Sequence, residues 1–303
     1  MPLTYGSVCS GIEAASVAWS PLGWQCRFVS EIDKFPCAVL KHRFPSVPNY
    51  GDMMKYTEWP DEQIDVLVGG TPCQSFSIAG LRRGLADPRG NLALIYLGIL
   101  DKYCPAWCVW ENVAGVLSSN GGRDFGAFLG ALGQLGYGFA YRVLDAQHFG
   151  VPQRRRRVFV VGHLGDWRRA AAVLFERESL SRYPTEGRKD GEGDSPALDG
   201  CAEARTVALR GREGGATAEL GGTVATALRA SQGGGDKPYI LADRVRRLSP
   251  VECERLQGFP DDWTKVTAAT KDGPRYKAIG NSMAVPVMRW IGEGIAAVSS
   301  LSP

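Results

Sequence analysis

Short apolar runs alternate with longer amphipathic ones through residues 1–165, and this alternation restricts the possible folds more than any other feature. "LTYGSVCS", "CRFVSEID", "IDVLVGG", "AWCVWEN" and "RRVFVVGHL" read as strands. "GIEAASVAWSPLG", ended by Pro21 and Gly23, reads as a helix, as do "KFPCAVLKHRF", "GNLALIYLGILDKYC" and "RDFGAFLGALGQLGY". Alternation of this kind predicts an α/β fold, a mostly parallel sheet with helices on both faces. Ligands of such sheets sit beyond the carboxyl ends of the strands. The chemically informative residues fall there: Cys9 to Glu13, Glu31, Asp52, Cys73 and Glu111.

The pattern breaks after about residue 180. From Gly187 to Gly235 about a quarter of positions are glycine, against an average of about 7%. A disordered linker is one reading. Against it, "ARTVALR" and "TVATALRA" keep apolar spacing between the glycine clusters, which favours a small loop-rich domain whose backbone approaches a partner closely. Beyond Arg244 the composition is ordinary again. Ser249, Pro250 and Glu252 read as N-cap, N1 and N3 of a helix, and "GNSMAVPVMRWIGEGIAAV" reads as a closing helix. The expected division is a sheet-and-helix domain over 1–185 completed by 280–303, a loop-rich domain over 186–252, and a bridge over 253–279.

At 303 residues and 44% hydrophobic, the chain can bury a sizeable core without covalent staples. Its eight cysteines include no CxxC pair, and with three histidines they form no zinc-like spacing, so no metal is expected. The start "MPLTYGSVCSGIEAA" lacks a secretion signal, and no apolar run reaches the roughly 20 residues that span a bilayer. The expectation is a soluble protein of a reducing compartment, with free thiols and no membrane partner. A net charge of +3 neither requires nor excludes nucleic acid.

Three fragments carry chemistry. In "LVGGTPCQSFSIAG" a lone cysteine, Cys73, ends an apolar strand. Such a thiol is usually a small core hydrophobe. Here Pro72 fixes φ and removes a donor, so the chain turns and the thiol sits at a pocket floor. In "WENV", Glu111 is either an exposed strand-end charge or a pocket acid. In "VPQRRRRVFVV" the basic run enters an apolar strand, so alternate arginines point oppositely. Arg155 and Arg157 share one parity and can reach the face of the other strand-end residues.

"PCQ" with "SFS", then "ENV", "QRRRR", "RLSPVECERLQGFP" and "GNS", in that order, resemble the DNA (cytosine-5)-methyltransferase family of bacterial or phage type. The resemblance covers most of the chain outside the glycine-rich insert. It implies the S-adenosylmethionine-dependent methyltransferase fold and an expected mechanism. Cytosine C5 is a poor nucleophile until a thiolate, here Cys73 next to Pro72, adds to C6. Glu111 would hydrogen-bond N3 and the exocyclic amine. Arg155 would contact O2, and Arg157 would hold Glu111 or the loop. The methyl group would come from S-adenosyl-L-methionine, leaving S-adenosyl-L-homocysteine. The cofactor site would comprise Cys9, Gly11, Ile12, Glu13, Glu31, Ile32, Asp52, Met53, Pro72, Leu92, Asn281 and Ser282. Glu31 is expected to accept both ribose hydroxyls and Asp52 the adenine amine, with Met53 on the ring. One departure is clear: the family's Phe-x-Gly-x-Gly-Gly reads "CSGIEAA" here, with only Gly11 kept.

The base must leave the DNA stack to expose C6. The loop after Cys73 carries Gly80, Gly84 and Gly90 as hinges and Arg82, Arg83 and Arg89 for phosphates, with Gln74, Ser75 and Ser77 also assigned to DNA. In the insert, Arg205, Arg210, Arg212 and Arg229 would read guanine or grip phosphate of double-stranded DNA. A tRNA cytosine-5 methyltransferase and a catalytically silent DNA-binding protein are the alternatives. A cytoplasmic, monomeric enzyme of a bacterial cell or phage-infected host is expected. A cognate restriction endonuclease on a separate chain, phage self-protection and an orphan role all stay open.

Overall fold

A computed structural model describes residues 2–72, 92–175, 205–212, 215–220, 225–226, 237–241 and 245–301, with the strands between 205 and 245 described by their backbone. A six-stranded sheet organises the first part. Its strands are β1 (Thr4–Val8), β2 (Gln25–Ser30), β3 (Val66–Gly69), β4 (Trp107–Val113), β5 (Tyr137–Asp145) and β7 (Arg156–Leu164), in the order β2-β1-β3-β4-β7-β5. The first four are parallel, and β7 runs antiparallel to both β4 and β5. Sequence reading placed four of the parallel strands and β7 but missed β5, whose residues "YGFAYRVLD" lack clean alternation.

Register explains where a site can form. Val8 lies opposite Ser30 and Gly69, so β1, β2 and β3 finish level, while β4, paired to Gly69 at Trp110, runs on past them to Val113. β2 and β3 flank β1 on opposite sides, which opens a crevice at the point where the winding reverses. Because β7 is reversed, its first residues arrive at that same edge: Arg157 pairs with Val113.

Helices cover both faces. On one face, α1 (Ala14–Trp19), α5 (Trp167–Phe175) and α8 (Val285–Ser300) pack around fully buried Tyr5, Trp19 and Ile291. Trp19 Nε1 donates to Met288 O at 2.8 Å, so the largest core side chain is also polar-satisfied. On the other face, α3 (Leu92–Tyr103) and α4 (Arg123–Gln134) bury Tyr96, Leu97 and Phe128. The Tyr96 hydroxyl sits between Leu67 O at 3.1 Å and Val109 O at 3.0 Å, tying α3 to β3 and β4. Burying a side chain of this size contributes roughly 2–3 kcal/mol.

α2 (Lys34–Arg43) follows β2. The C-terminal segment adds α6 (Pro250–Gln257) and α7 (Asp272–Asn281). Ser249 caps α6 in a capping box with Glu252, and Pro250 stands in the first turn, as the sequence suggests. The closing helix is shorter than expected. Gly280 and Asn281 end α7, a separate helix hidden by "DGP", and α8 starts at Val285 with Pro286 where its missing N–H costs nothing. In the glycine-rich region, β8 (Arg205–Arg212), β9 (Gly215–Leu220), β11 (Lys237–Leu241) and β12 (Val245–Arg247) form an antiparallel sheet ordered β12-β11-β8-β9. The short β10 (Ala225–Thr226) pairs in parallel with β6 (Gln153–Arg154).

Candidate active site

A cleft of about 960 Å³ lies along these strand ends. Its floor comes from the first 113 residues and one wall from α7. Of the expected cofactor residues, Cys9, Gly11, Glu31, Ile32, Asp52, Met53, Pro72, Leu92 and Asn281 line it. The structure does not bring Ile12 there: its side chain is in the core, and its carbonyl accepts from Trp263 Nε1 at 2.9 Å. Glu13 and Ser282 lie behind the cleft, both buried.

The loop after β1 is tightly wound. Cys9, Gly11 and Glu13 have φ of 49°, 57° and 65°. Only glycine adopts that region without strain, so side-chain anchoring must hold the other two. Glu13 caps α1 from its own buried position. Its carboxylate accepts from Ser7 Oγ at 2.8 Å and from Ser16 N and Oγ at 3.2 and 3.1 Å. Burial pushes the Glu13 carboxyl up to about 7, against those hydrogen bonds, which pull it down. The Cys9 Sγ lies 3.4 Å from Met53 Sδ, and burial beside Glu31 and Asp52 pushes that thiol up to about 12, leaving it unreactive.

Glu31 ends β2 and is held by backbone. Oε2 accepts from Gly11 N at 2.8 Å, and Oε1 from Ile32 N and Asp33 N, both at 2.8 Å. A carboxylate offers about four acceptor directions. Two ribose hydroxyls would therefore have to share the direction left on Oε2. Asp52 caps the short helix at Met53–Glu58 through Oδ1, which accepts from Met54 N at 2.9 Å. Ile32, 70% exposed, and Phe35 present apolar surface to the same cleft. Phe35, Ser30 and Lys277 were not legible as lining residues, because each sits in ordinary helix or strand sequence. Lys277 bridges the mouth, its Nζ 2.6 Å from Asp33 Oδ2.

At the other end, Glu111 is buried, so the pocket-acid reading of "WENV" holds. Burial raises its carboxyl, and the Arg155 and Arg157 guanidinium groups oppose that rise. Arg157 Nε lies 3.1 Å from Glu111 Oε1, yet Oε1 accepts no aligned hydrogen bond. Arg155 is clamped: its N donates to Asp145 Oδ1 at 2.8 Å, and its guanidinium donates to Gly280 O at 3.2 Å and Ser282 O at 2.6 Å. Burial, then the like charge of Arg157, pull it down to about 9, still cationic at neutral pH. Arg154 and Arg156 point to solvent, as strand parity requires.

Two further residues prepare the approach to Cys73. Asn112 Nδ2 donates to Thr71 O at 3.0 Å, and Trp110 Nε1 donates to Thr71 Oγ1 at 3.0 Å. Together they fix Thr71–Pro72, the last described residues of that loop. Cys73, Gln74, Ser75, Ser77, Arg82, Arg83, Arg89 and Arg229 lie outside the described residues. Arg205, Arg210 and Arg212 belong to β8, described by its backbone.

The family model for C-5 cytosine-specific DNA methylase matches residues 3–192 and 215–297. The chain belongs to that family. The methylase is an α/β enzyme of the DNA (cytosine-5)-methyltransferase class, and its cofactor is S-adenosyl-L-methionine. It is 35% identical to the DNA N-6-adenine-methyltransferase of Escherichia phage P1, over 97% of the chain and 61% of that protein, so it spans less than two thirds of that relative. It is 32% identical to the type II methyltransferase M2.BsuMI of Bacillus subtilis, over 96% of the chain and 74% of that protein. The S. pombe Dnmt2 methyltransferase structure matches with a TM-score of 0.69 at 15% identity, covering 99% of this chain and all of that one, a likeness of fold. The lining of the cleft is compatible with such a cofactor: Glu31 keeps one acceptor direction, Asp52 lies with it near Cys9, and Ile32, Phe35 and Met53 add apolar surface. No helix among the described residues is long and apolar enough to cross a membrane.

Proposed function

We propose that this methylase acts on C5 of a cytosine extruded from a short site in duplex DNA, through a transient bond between Cys73 and C6. The supporting observation is the buried Glu111 carboxyl, facing the cleft between two arginines, with Oε1 lacking an aligned donor. Burial favours its protonated form. In that form it donates to cytosine N3 while its other oxygen accepts from the exocyclic amine. Cys73 follows Pro72, which lines the cleft. Attack at C6 converts C4–C5 to an enamine as the proton from Glu111 neutralises the ring. Arg155, rigid on two carbonyls, stabilises O2, and Arg157 holds Glu111. Glu31, Asp52 and Met53 would hold S-adenosyl-L-methionine, which would supply an electrophilic methyl group. Loss of the C5 proton, to water in this reading, return of the N3 proton to Glu111 and expulsion of Cys73 restore the ring.

The recognition region would be 186–252, which holds the antiparallel sheet of β8, β9, β11 and β12 with Arg205, Arg210 and Arg212 on β8, joined by 253–279 to a catalytic part formed by 1–185 and 280–303. We read the enzyme as a metal-free monomer of the bacterial or infected cytoplasm.

A duplex with 5-fluorocytosine at the target tests the chemistry, since fluorine cannot leave as a proton does. A covalent complex should persist on a denaturing gel with wild type and be absent with Cys73→Ala, which should still bind cofactor. No complex at a site proven to be methylated sinks attack through Cys73. The name of the phage P1 relative supplies the second reading, methylation of an adenine amine. That reaction needs no ring nucleophile, so label transferred to adenine by Cys73→Ala would favour it. Label entering tRNA alone would replace DNA as substrate.

A further inference from the structure

Behind the first loop lies a void of about 40 Å³, lined in part by Ser7, Ser10, Glu13, Glu111, Asn281 and Ser282. A void needs only about 10–15 Å³ and two to four polar partners to hold water. Glu111 lines both this void and the cleft, so it stands between them. Glu13, 1% exposed, lines the void alone. Two carboxyl groups thus border one small polar chamber, one of them facing the reacting base and the other remote from it.

We infer that ordered water in this chamber links Glu13 to Glu111, making Glu13 a proton-positioning residue for the methylase. The inference rests on Glu111 acting at N3. When Cys73 bonds to C6, N3 takes a proton from Glu111. Glu111 takes one from the chamber water, and that water takes one from Glu13. On expulsion of Cys73 the three transfers reverse, so nothing is consumed. The chamber gives Glu111 a proton source away from the cleft, which base and cofactor fill during the reaction.

The surroundings suit the role. Tyr5 and Ser16 from β1 and α1, Cys26 from β2, and Glu31 face Glu13, and none of these is a cation. The cations Arg155 and Arg157 face Glu111 instead. With its carboxyl pushed up to about 7, Glu13 can hold a proton at neutral pH.

The test is the single-turnover rate of covalent trapping on 5-fluorocytosine duplex, measured from pH 5.5 to 8.5 for wild type, Glu13→Gln, Ser7→Ala and Glu111→Gln. The ratio of wild type to Glu13→Gln cancels the titration of Cys73, common to both. It should be about tenfold at pH 6, a fraction of what a positioned proton donor supplies, and should fall to about one above pH 8, where Glu13 has no proton to give. A ratio constant with pH, or equal to one throughout, overturns the inference. Should Glu13→Gln fail to fold, Ser7→Ala decides: removing a donor to the carboxylate should move the alkaline midpoint upward, and an unmoved midpoint overturns it. Wild-type trapping by Glu111→Gln would sink the underlying reading. A dead Glu111→Gln beside a flat Glu13 ratio would sink this inference alone.

Discussion

Glu13 is a residue whose charge the fold resists. Its carboxyl is raised from 4.5 to about 7 by burial. An acid whose folded value exceeds its unfolded one adds full stability below the unfolded value and loses it as pH rises through the folded value. The methylase should therefore lose about 3 kcal/mol from this group between pH 4.5 and just above 7. Glu13→Gln, which keeps acceptor and donor for Ser16 and Ser7, should raise Tm at pH 8 and leave it near wild type at pH 5, by calorimetry. Glu111 is also raised by burial, but there two guanidinium groups oppose the rise. Glu111→Gln should fold normally and lose about 10²–10³ in turnover, read by methyl incorporation.

Elements bring these residues together by register and direction. Gly292 shows how closely α8 meets α1: a Cβ there would lie 2.4 Å from Trp19 Nε1. Gly292→Ala should cost about 1–3 kcal/mol in urea unfolding, because both helices are otherwise packed. α1, α2, α3, α4 and the capping box of α6 were legible in the sequence because local chemistry decides them. β5 and α7 were not. β5 is held by pairing with β7, and α7 by Arg275, whose guanidinium reaches Glu254 and Thr264 eleven or more residues away. The site followed the same rule. Glu111, Arg155 and Glu31 were readable from strand ends, while the Glu13 chamber and Thr71's anchors needed three dimensions. Trp263 belongs to that second kind: it reaches the first loop across 251 residues of sequence. Trp263→Phe should weaken cofactor binding several-fold by calorimetric titration while leaving the far-UV spectrum unchanged.

At the scale of the molecule, the cleft has walls from opposite ends of the chain, joined by Trp263 to Ile12 and Lys277 to Asp33. A ligand there clasps both, so saturating S-adenosyl-L-homocysteine should stabilise the whole unit by about 2.7 kcal/mol at a hundred times Kd. A single cooperative transition that shifts with ligand, seen by scanning calorimetry, checks this. α7 is also made long after β1 during synthesis. While a ribosome is still extending the polypeptide, the strand ends that line the cleft lack the wall that α7 supplies. The cleft closes only when the late segment folds back on the early loop, and two separately expressed pieces that meet along that seam would form a conditional switch for assembling it.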